Sequence, residues 1–231
     1  MLLDNEELKA QAREIIARYP QGKARSALLP MLHLVQAEDG YVSGEGIAFC
    51  AEMLGLTKAE VAAVSTFYTM YKRKPTGDFL VSVCTNTMCD VMGGQLVYDV
   101  LSEYLEVGHD ETTADGKITL EHAECLAACD FAPVMTVNYE FYDKVEPDQA
   151  IATVRALQDG QLPQPSRGAR LCTLKQISKQ LAGWSEDRKD ALADTGIGEA
   201  TLAGLRLAEK HGVAAPVGDV ELNTPIRVEK K

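Results

Sequence analysis

Phe79-Leu80-Val81-Ser82-Val83-Cys84-Thr85-Asn86-Thr87-Met88-Cys89 is the stretch that decides the fold of this 231-residue chain. Its first five residues are mostly β-branched, aromatic or otherwise apolar, which is typical of a buried strand. The strand delivers Cys84 at its carboxyl end, and Cys89 follows after a gap of four residues. A second pair, Cys125 and Cys129, has a gap of three residues and lies in a later loop. Two cysteine-bearing loops are therefore the feature around which the chain is organised.

Short strands and amphipathic helices alternate on both sides of these loops. Beyond the first strand the pattern predicts a helix from Asp90 or Gly93-Gly94 to Leu105, a strand over 117–120, a hairpin over 134–145 and a helix from Pro147. The order β-α-β-β-β-α, with cysteines directly after the first strand, predicts a thioredoxin-like α/β sandwich over residues 77–160. The polar stretch from Gly108 to Gly116 is predicted to be a loop.

Residues 1–76 show a helical pattern instead. The predicted helices are Asp4–Tyr19, Lys23–Glu38, a helix capped by Ser43 that ends at Leu54, and one that begins at Thr57 and runs toward Tyr71. Thr57 with Glu60 three residues later is a capping box. Residues 161–231 are predicted to be a linker over Gln161–Arg170, a helical extension over Leu171–Lys210 and an extended tail. The fold class is therefore α+β, with an N-terminal helical domain before the sandwich.

Charge and hydropathy exclude several classes of function. The chain has 34 acidic and 23 basic residues, a formal charge of −11. Nucleic acids and anionic membranes attract clustered Lys and Arg, so this balance argues against both as partners. No apolar run reaches the roughly 18–20 residues that span a bilayer, and residues 1–13 lack the apolar stretch of a signal peptide. We expect a soluble intracellular protein that does not insert into a membrane.

Three chemistries compete for the two cysteine pairs. A disulfide oxidoreductase needs Cys-x-x-Cys at the start of a helix, and this spacing occurs nowhere in the chain. Structural zinc favours Cys-x2–4-Cys pairs, and a gap of four residues is at the edge of that range. A [2Fe–2S] cluster takes two thiolates on each iron, which two loops at one end of a sandwich can supply. We favour an iron–sulfur protein, with a zinc-stabilised interaction scaffold as the alternative.

The remaining cysteines and the histidines carry less information. Cys50 lies on an apolar helical stripe with Ile47, Met53 and Leu54, which predicts a buried structural thiol. No role is assigned to Cys172, nor to the scattered histidines His33, His109, His122 and His211.

Six segments carry a resemblance to a known family: 40–43, 64–71, 73–77, 83–85, 111–116 and 124–133. In these segments the chain resembles the thioredoxin-like [2Fe–2S] ferredoxins that form the E subunit of bacterial NADH–quinone oxidoreductase, respiratory complex I. The resemblance covers about residues 15–155. It implies that a single [2Fe–2S] cluster is bound by Cys84, Cys89, Cys125 and Cys129, and that a helical N-terminal domain precedes the ferredoxin domain.

The resemblance also implies the setting in which the chain works. It implies an electron-transfer subunit without catalysis of its own, beside a flavin-bearing subunit that holds FMN and NADH and a large iron–sulfur subunit. Such a complex has its peripheral arm at the inner face of the cell membrane. Equivalent ferredoxin subunits of NAD-linked hydrogenases and formate dehydrogenases are the nearest alternative. The chain has no G-x-G-x-x-G after a predicted strand, so NADH is expected on the partner.

Four further expectations concern single residues or short groups of residues. Pro133 follows the second cysteine pair and precedes a strand, so a cis Ala132–Pro133 bond is predicted from the fold. The carboxylate of Asp90, next to Cys89, should lower the potential of the cluster. Core packing or an interdomain contact is predicted for the aromatic residues Phe67, Tyr68 and Tyr71. The basic run Lys72-Arg73-Lys74 is predicted either to meet an acidic partner or to be a solvated turn.

Overall fold

The computed structural model describes residues 2–184 and 198–213. The chain divides into two compact units, Met1–Gly196 and Ile197–Lys231, and each is described by itself. In the second unit, α9 (Glu199–His211) is the described helix, and it ends at Gly212 in the left-handed conformation. The segment 185–197 and the tail predicted from residue 217 lie outside the described residues.

The N-terminal part of the first unit is a bundle of α1 (Glu6–Ala17), α2 (Leu28–Asp39), α3 (Gly44–Leu54) and α4 (Lys58–Phe67). Polar side chains cap the free backbone N–H groups at the starts of α1, α3 and α4. The hydroxyl of Ser43 accepts a hydrogen bond from Gly46 N at 2.9 Å, which confirms the predicted cap. The predicted capping box is also confirmed, because Glu60 N donates to Thr57 Oγ1 and Thr57 N donates to Glu60 Oε2.

Helix α4 ends at Phe67, four residues before the predicted end at Tyr71. Tyr71 is buried against the bundle instead, and its hydroxyl donates to Leu29 O at 2.9 Å. The prediction of core packing is therefore confirmed for Tyr71. It is wrong for Phe67, whose side chain is 78% exposed beside an open groove of about 520 Å³. The chain leaves the helix at Tyr68, which is in an extended conformation. Phe67 and Tyr71, on either side of this change of direction, therefore lie in different environments.

The sheet has the strand order β2-β3-β1-β4-β5. Its strands are β1 (Phe79–Cys84), β2 (Glu111–Thr112), β3 (Ile118–Ala123), β4 (Met135–Val137) and β5 (Glu140–Tyr142). Strands β1 and β3 are parallel, and the other pairs are antiparallel. The helices are α5 (Thr87–Val91), α6 (Gly94–Leu105) and α7 (Pro147–Gln158). This arrangement confirms the predicted thioredoxin-like sandwich. Strand β2 lies within the segment predicted to be a polar loop, so this strand was not predicted.

One face of the sheet is covered by α6 and α7. Val81 of β1 and Leu120 of β3 share a buried apolar core with Leu101 of α6 and with Val154 and Leu157 of α7. All six residues of β1 are buried, which is typical of a central strand covered on both faces. The odd-numbered side chains of β1 therefore belong to this core, while Ser82 lies on the opposite face.

Lys72 joins the helical bundle to that opposite face. Its ammonium group pairs with the carboxylate of Glu121 on β3, and Ser82 Oγ donates to Glu121 Oε1 at 2.6 Å. Its carbonyl accepts from Val42 N at 2.7 Å. The prediction of a solvated turn or an external acidic partner is therefore wrong for Lys72. The acidic partner is Glu121, 49 residues later in the same chain, a contact that local sequence does not reveal.

The chain returns to the bundle after the sandwich. In the segment predicted as a linker, Pro163 O accepts from the Tyr142 hydroxyl at 2.7 Å and Ser166 N donates to Phe141 O at 2.8 Å. Helix α8 (Leu174–Leu181) then packs on α2, where Gln36 Nε2 donates to Ser178 Oγ at 3.1 Å. The helical extension predicted over Leu171–Lys210 contains α8, which begins at Leu174 and ends at Leu181, and α9 of the second unit. None of the described helices is both long and apolar enough to cross a bilayer.

Candidate metal centre

The first cysteine pair lies where β1 meets α5. Cys84 is the last residue of β1, and its N–H donates to Val134 O at 3.1 Å. Asn86 caps α5 by accepting from Thr87 N at 3.0 Å, and this short helix turns Cys89 back toward the sheet. Both cysteines are buried, with 1% of the surface of Cys84 and 2% of that of Cys89 exposed. The sequence predicted the strand and its terminal cysteine, but the short helix that carries Cys89 was not predicted.

Gly94, the first residue of α6, packs directly against the backbone of this pair. A Cβ atom at this position would lie 2.5 Å from Cys84 O and 2.8 Å from Cys89 O, closer than side-chain carbons approach backbone oxygens. Only glycine therefore lets the amino-terminal end of α6 come this close. The start of a helix carries partial positive charge, which stabilises negative charge on neighbouring sulfur atoms.

The second pair lies in the loop after β3. The sulfur atoms of Cys125 and Cys129 are 3.8 Å apart, and Ala127 N donates to Cys125 Sγ over 3.4 Å. Ala127 is in the left-handed region at φ 56°, which turns its N–H toward the sulfur. Both cysteines are exposed. The Ala132–Pro133 bond that follows is cis, as predicted.

The thiols of the two pairs influence one another electrostatically. The pKa of the Cys89 thiol is raised to about 11, mainly by burial and also by a hydrogen bond with Cys84 and the charges of Cys84 and Cys129, against the opposing effect of a backbone hydrogen bond from Val134. A hydrogen bond to Cys125 and then the charge of that thiol raise the pKa of Cys129. Members of both pairs are therefore within electrostatic range of Cys89.

The donor set fits a [2Fe–2S] cluster, which takes two cysteine thiolates on each of its irons. The structure supplies two pairs, one buried and one exposed, beside the start of a helix. Within residues 2–184 and 198–213, no group of three or more His, Cys, Asp or Glu side chains is arranged to hold a metal ion. The cysteines accordingly stand as two separate pairs.

Cys50 is buried in the bundle, where burial raises its pKa to about 12, and the prediction of a structural thiol is confirmed.

Exposed apolar side chains lie close to Cys89 along the chain, and the sequence analysis did not single them out. They are Met88, Val91, Met92 and Leu96, and we call them the apolar rim. Each of these residues is at least half exposed. Three of them lie on or next to α5, and Leu96 lies on the first turn of α6. Contiguous exposed apolar residues of this kind mark interaction sites. The signal available in the sequence was a group of four apolar residues at helical spacing directly around and after Cys89.

Comparison with known proteins adds a family to this geometry. The model of the family described as thioredoxin-like [2Fe–2S] ferredoxin matches residues 12–158. The E subunit of the NADH-quinone oxidoreductase of Mycobacterium tuberculosis is 54% identical over 209 residues, which cover 90% of this chain and 82% of that protein. NADH-quinone oxidoreductase subunit 2 of Thermus thermophilus is 39% identical over 129 residues, or 56% of this chain and 71% of that protein.

A solved structure supports the fold. The crystal structure of an NAD⁺-reducing [NiFe]-hydrogenase in the H2-reduced state matches with a TM-score of 0.52 at 19% identity. The match covers 59% of this chain and 22% of the hydrogenase chain, so this protein spans less than a quarter of that chain. At this identity the similarity concerns the fold alone.

Proposed function

The chain belongs to the thioredoxin-like [2Fe–2S] ferredoxin family, and we propose that it is the electron-transfer subunit of an NADH–quinone oxidoreductase. One cluster would be held by Cys84, Cys89, Cys125 and Cys129. The observation that carries the proposal is the position of the two cysteine pairs after the parallel strands β1 and β3, with Ala128 of the second loop packed in the same buried cluster as Cys84 and Cys89. The identity of 54% over 90% of the chain to the E subunit of such an oxidoreductase supports the same assignment.

The bound cluster would supply reversible uptake of one electron. The residues of the chain determine how well that extra negative charge is tolerated. Ala127 N donates to Cys125 Sγ, and the amino-terminal end of α6 adds partial positive charge beside Cys84 and Cys89. The buried first pair excludes water from one side, while the exposed second pair leaves the other side open. Because none of these groups makes or breaks a substrate bond, the chain would have no catalysis of its own.

The partner we propose is a flavin-bearing subunit that binds FMN and NADH, with a large iron–sulfur subunit alongside. In such a complex the chain would belong to the peripheral arm at the cytoplasmic face of the membrane. The apolar rim supports a partner at this end, because Met88 and its neighbours flank Cys89 and remain exposed in the isolated chain. An apolar contact beside the cluster would exclude water between the two redox groups.

The cluster is tested on the full chain, purified without oxygen and assayed for iron, acid-labile sulfide and zinc. We expect two irons and two sulfides per chain. Serine at any one of Cys84, Cys89, Cys125 or Cys129 should abolish them together. Cys50→Ser is the control, because Cys50 is buried in the bundle, and it should retain the cluster. One zinc without sulfide, even after reconstitution with iron and sulfide, would instead establish the zinc scaffold.

The partner is tested at the apolar rim. Leu96 and Leu162 are equally exposed, at 56% each, but Leu162 lies after α7 and outside the rim. We expect Leu96→Lys to weaken binding of the purified flavin-bearing subunit by at least about tenfold, because burying an unpaired ammonium group is unfavourable. Leu162→Lys should bind as the wild type does. Equal binding by both variants would exclude the rim as the contact.

A further inference from the structure

The guanidinium group of Arg167 lies between two aromatic rings close to the cysteine pairs. Its Cζ is 4.8 Å from the ring centroid of Phe131 and 4.3 Å from that of Phe141. It also forms a two-point contact with Asp143, at 2.8 Å from Nε and 3.0 Å from Nη2. Only 21% of the Arg167 side chain is exposed. Stacking and a bidentate carboxylate contact together make use of both properties that distinguish arginine from lysine.

Arg167 belongs to a strap, residues 166–172, that is fastened to β5. Arg167 forms a β-bridge with Phe141, and Asp143 N donates to Ser166 Oγ at 2.9 Å. Ala169 N donates to Glu140 Oε2 at 3.0 Å. Gly168 lies between these contacts at φ 98°, and a Cβ atom there would collide with the Glu140 carboxylate. The backbone of the strap is thus fixed on both sides of Arg167.

The two rings connect Arg167 to both cysteine pairs. Phe131 is the last residue of the 3-10 turn that begins at Cys129. Phe131 and Phe141 both pack against the buried cluster of Cys84, Cys89, Ala128 and Val134. The arginine therefore covers the outer side of the aromatic layer whose inner side faces the first pair.

We propose that Arg167 is a positioning residue for the cluster, which holds the Cys125–Cys129 loop in place through Phe131. The inference rests on the proposed function, since it presupposes a cluster on these cysteines. The loop needs such support because both of its cysteines are exposed. Exposed loops with little buried apolar contact open locally at low free energy, and a bound cluster is released when one pair of ligands moves away. Opening the loop would require Phe131 to leave the Arg167 stack.

The strap also sets charge near the cluster. Arg167 neutralises Asp143, whose side chain is only 13% exposed. Without the guanidinium, this carboxylate would stand unpaired beside Phe141 and raise the cost of adding an electron to the cluster. Arg167 is thus expected to influence both the lifetime and the midpoint potential of the cluster.

The experiment uses the reconstituted full chain under anaerobic conditions. The rate of cluster release into excess EDTA is followed by visible absorbance, and the midpoint potential is measured by EPR-monitored titration. For Arg167→Ala we expect release about tenfold faster, as loss of a desolvated cation–π contact allows, together with a lower midpoint potential. Arg167→Lys should keep the wild-type potential, because the charge remains, but restore the release rate only in part.

Arg155→Ala is the matched control. Arg155 also stacks on an aromatic ring, Tyr104 at 5.6 Å, but it joins α7 to the last turn of α6, whereas Cys84 and Cys89 lie at the first residue of α6. Both readouts should equal those of the wild type in this variant. A wild-type chain that acquires no iron and sulfide would refute the proposed function itself. If the wild type binds the cluster and Arg167→Ala shows the wild-type release rate and the wild-type midpoint potential, only the role of Arg167 is refuted. This conclusion would hold even if the variant melted at a lower temperature.

Discussion

His33 makes the stability of the helical bundle dependent on pH. Its ring lies on α2 among apolar neighbours and contacts the Tyr71 ring at a centroid distance of 4.7 Å. Within the described residues, its Nδ1 atom is buried without a hydrogen-bond partner. Burial lowers the pKa of His33 to about 4 from an ordinary value of 6.5. We therefore predict that His33→Phe, which keeps the ring contact and removes the titrating group, makes the protein less sensitive to acid.

The direction follows from proton binding by the two states. Unfolded His33 takes up a proton as the pH falls through about 6.5, whereas folded His33 stays neutral until about pH 4. The unfolded state therefore binds more protons in this window, so stability is fully present above about pH 6.5 and is lost as the pH falls toward 4. Between pH 7.5 and pH 5.0 the linkage relation gives a loss of about 2 kcal/mol from this one residue.

Urea unfolding at the two pH values measures this effect. Trp184 is the single tryptophan of the chain and packs against the core of the bundle, so its fluorescence reports the relevant domain. Carboxylates that titrate in the same range contribute equally to both proteins and cancel in the difference. The stability of His33→Phe relative to wild type should rise by about 2 kcal/mol on going from pH 7.5 to pH 5.0. A difference that is the same at both pH values would refute the titration of His33.

Three further predictions concern the ferredoxin domain. Asn138, in the β4–β5 turn, donates to Asp78 O and Cys172 O and accepts from Leu80 N. Asn138→Ala should therefore lower the free energy of unfolding in urea by about 3 kcal/mol. A decrease below about 0.5 kcal/mol would contradict this prediction. Gly94→Ala should lower the iron and sulfide content, whereas Gly44→Ala, where a Cβ meets nothing within 4 Å, should not, and equal content in both would remove the role of the close approach. Asp90→Asn should raise the midpoint potential, modestly because the carboxylate is exposed; an unchanged value would remove Asp90 as a determinant.

Local patterns in the sequence were sufficient for most of the elements. The caps at Ser43 and Thr57 depend on hydrogen bonds to residues three positions later, and both are present in the structure. The apolar run from Phe79 is a buried strand because its neighbours on both sides are supplied by the same domain. The alternation of strands and helices was enough to identify the sandwich, and the fold in turn predicted the cis bond before Pro133.

The features that were missed depend on contacts between distant segments. Glu111 and Thr112 are polar and form only a two-residue strand, whose identity comes from pairing with β3 rather than from its own composition. Lys72 resembled a solvated basic turn because its partner, Glu121, is far away in sequence. Arg167 resembled part of a linker for the same reason: its binding partners are supplied by β5 and by the turn after Cys129.

The Lys72–Glu121 pair limits how this protein can be recombined with its relatives. The bundle supplies the cation and the sheet supplies the anion, and both groups are largely shielded from solvent. Leaving one member of such a pair behind is unfavourable by about 3–5 kcal/mol, a large share of the stability of a typical domain. A chimaera joined between residues 76 and 77 therefore inherits a compensated interface only if both parents carry this lysine and this glutamate. We therefore expect functional chimaeras to keep the helical bundle and the ferredoxin domain from the same parent wherever the other parent lacks one of these two residues.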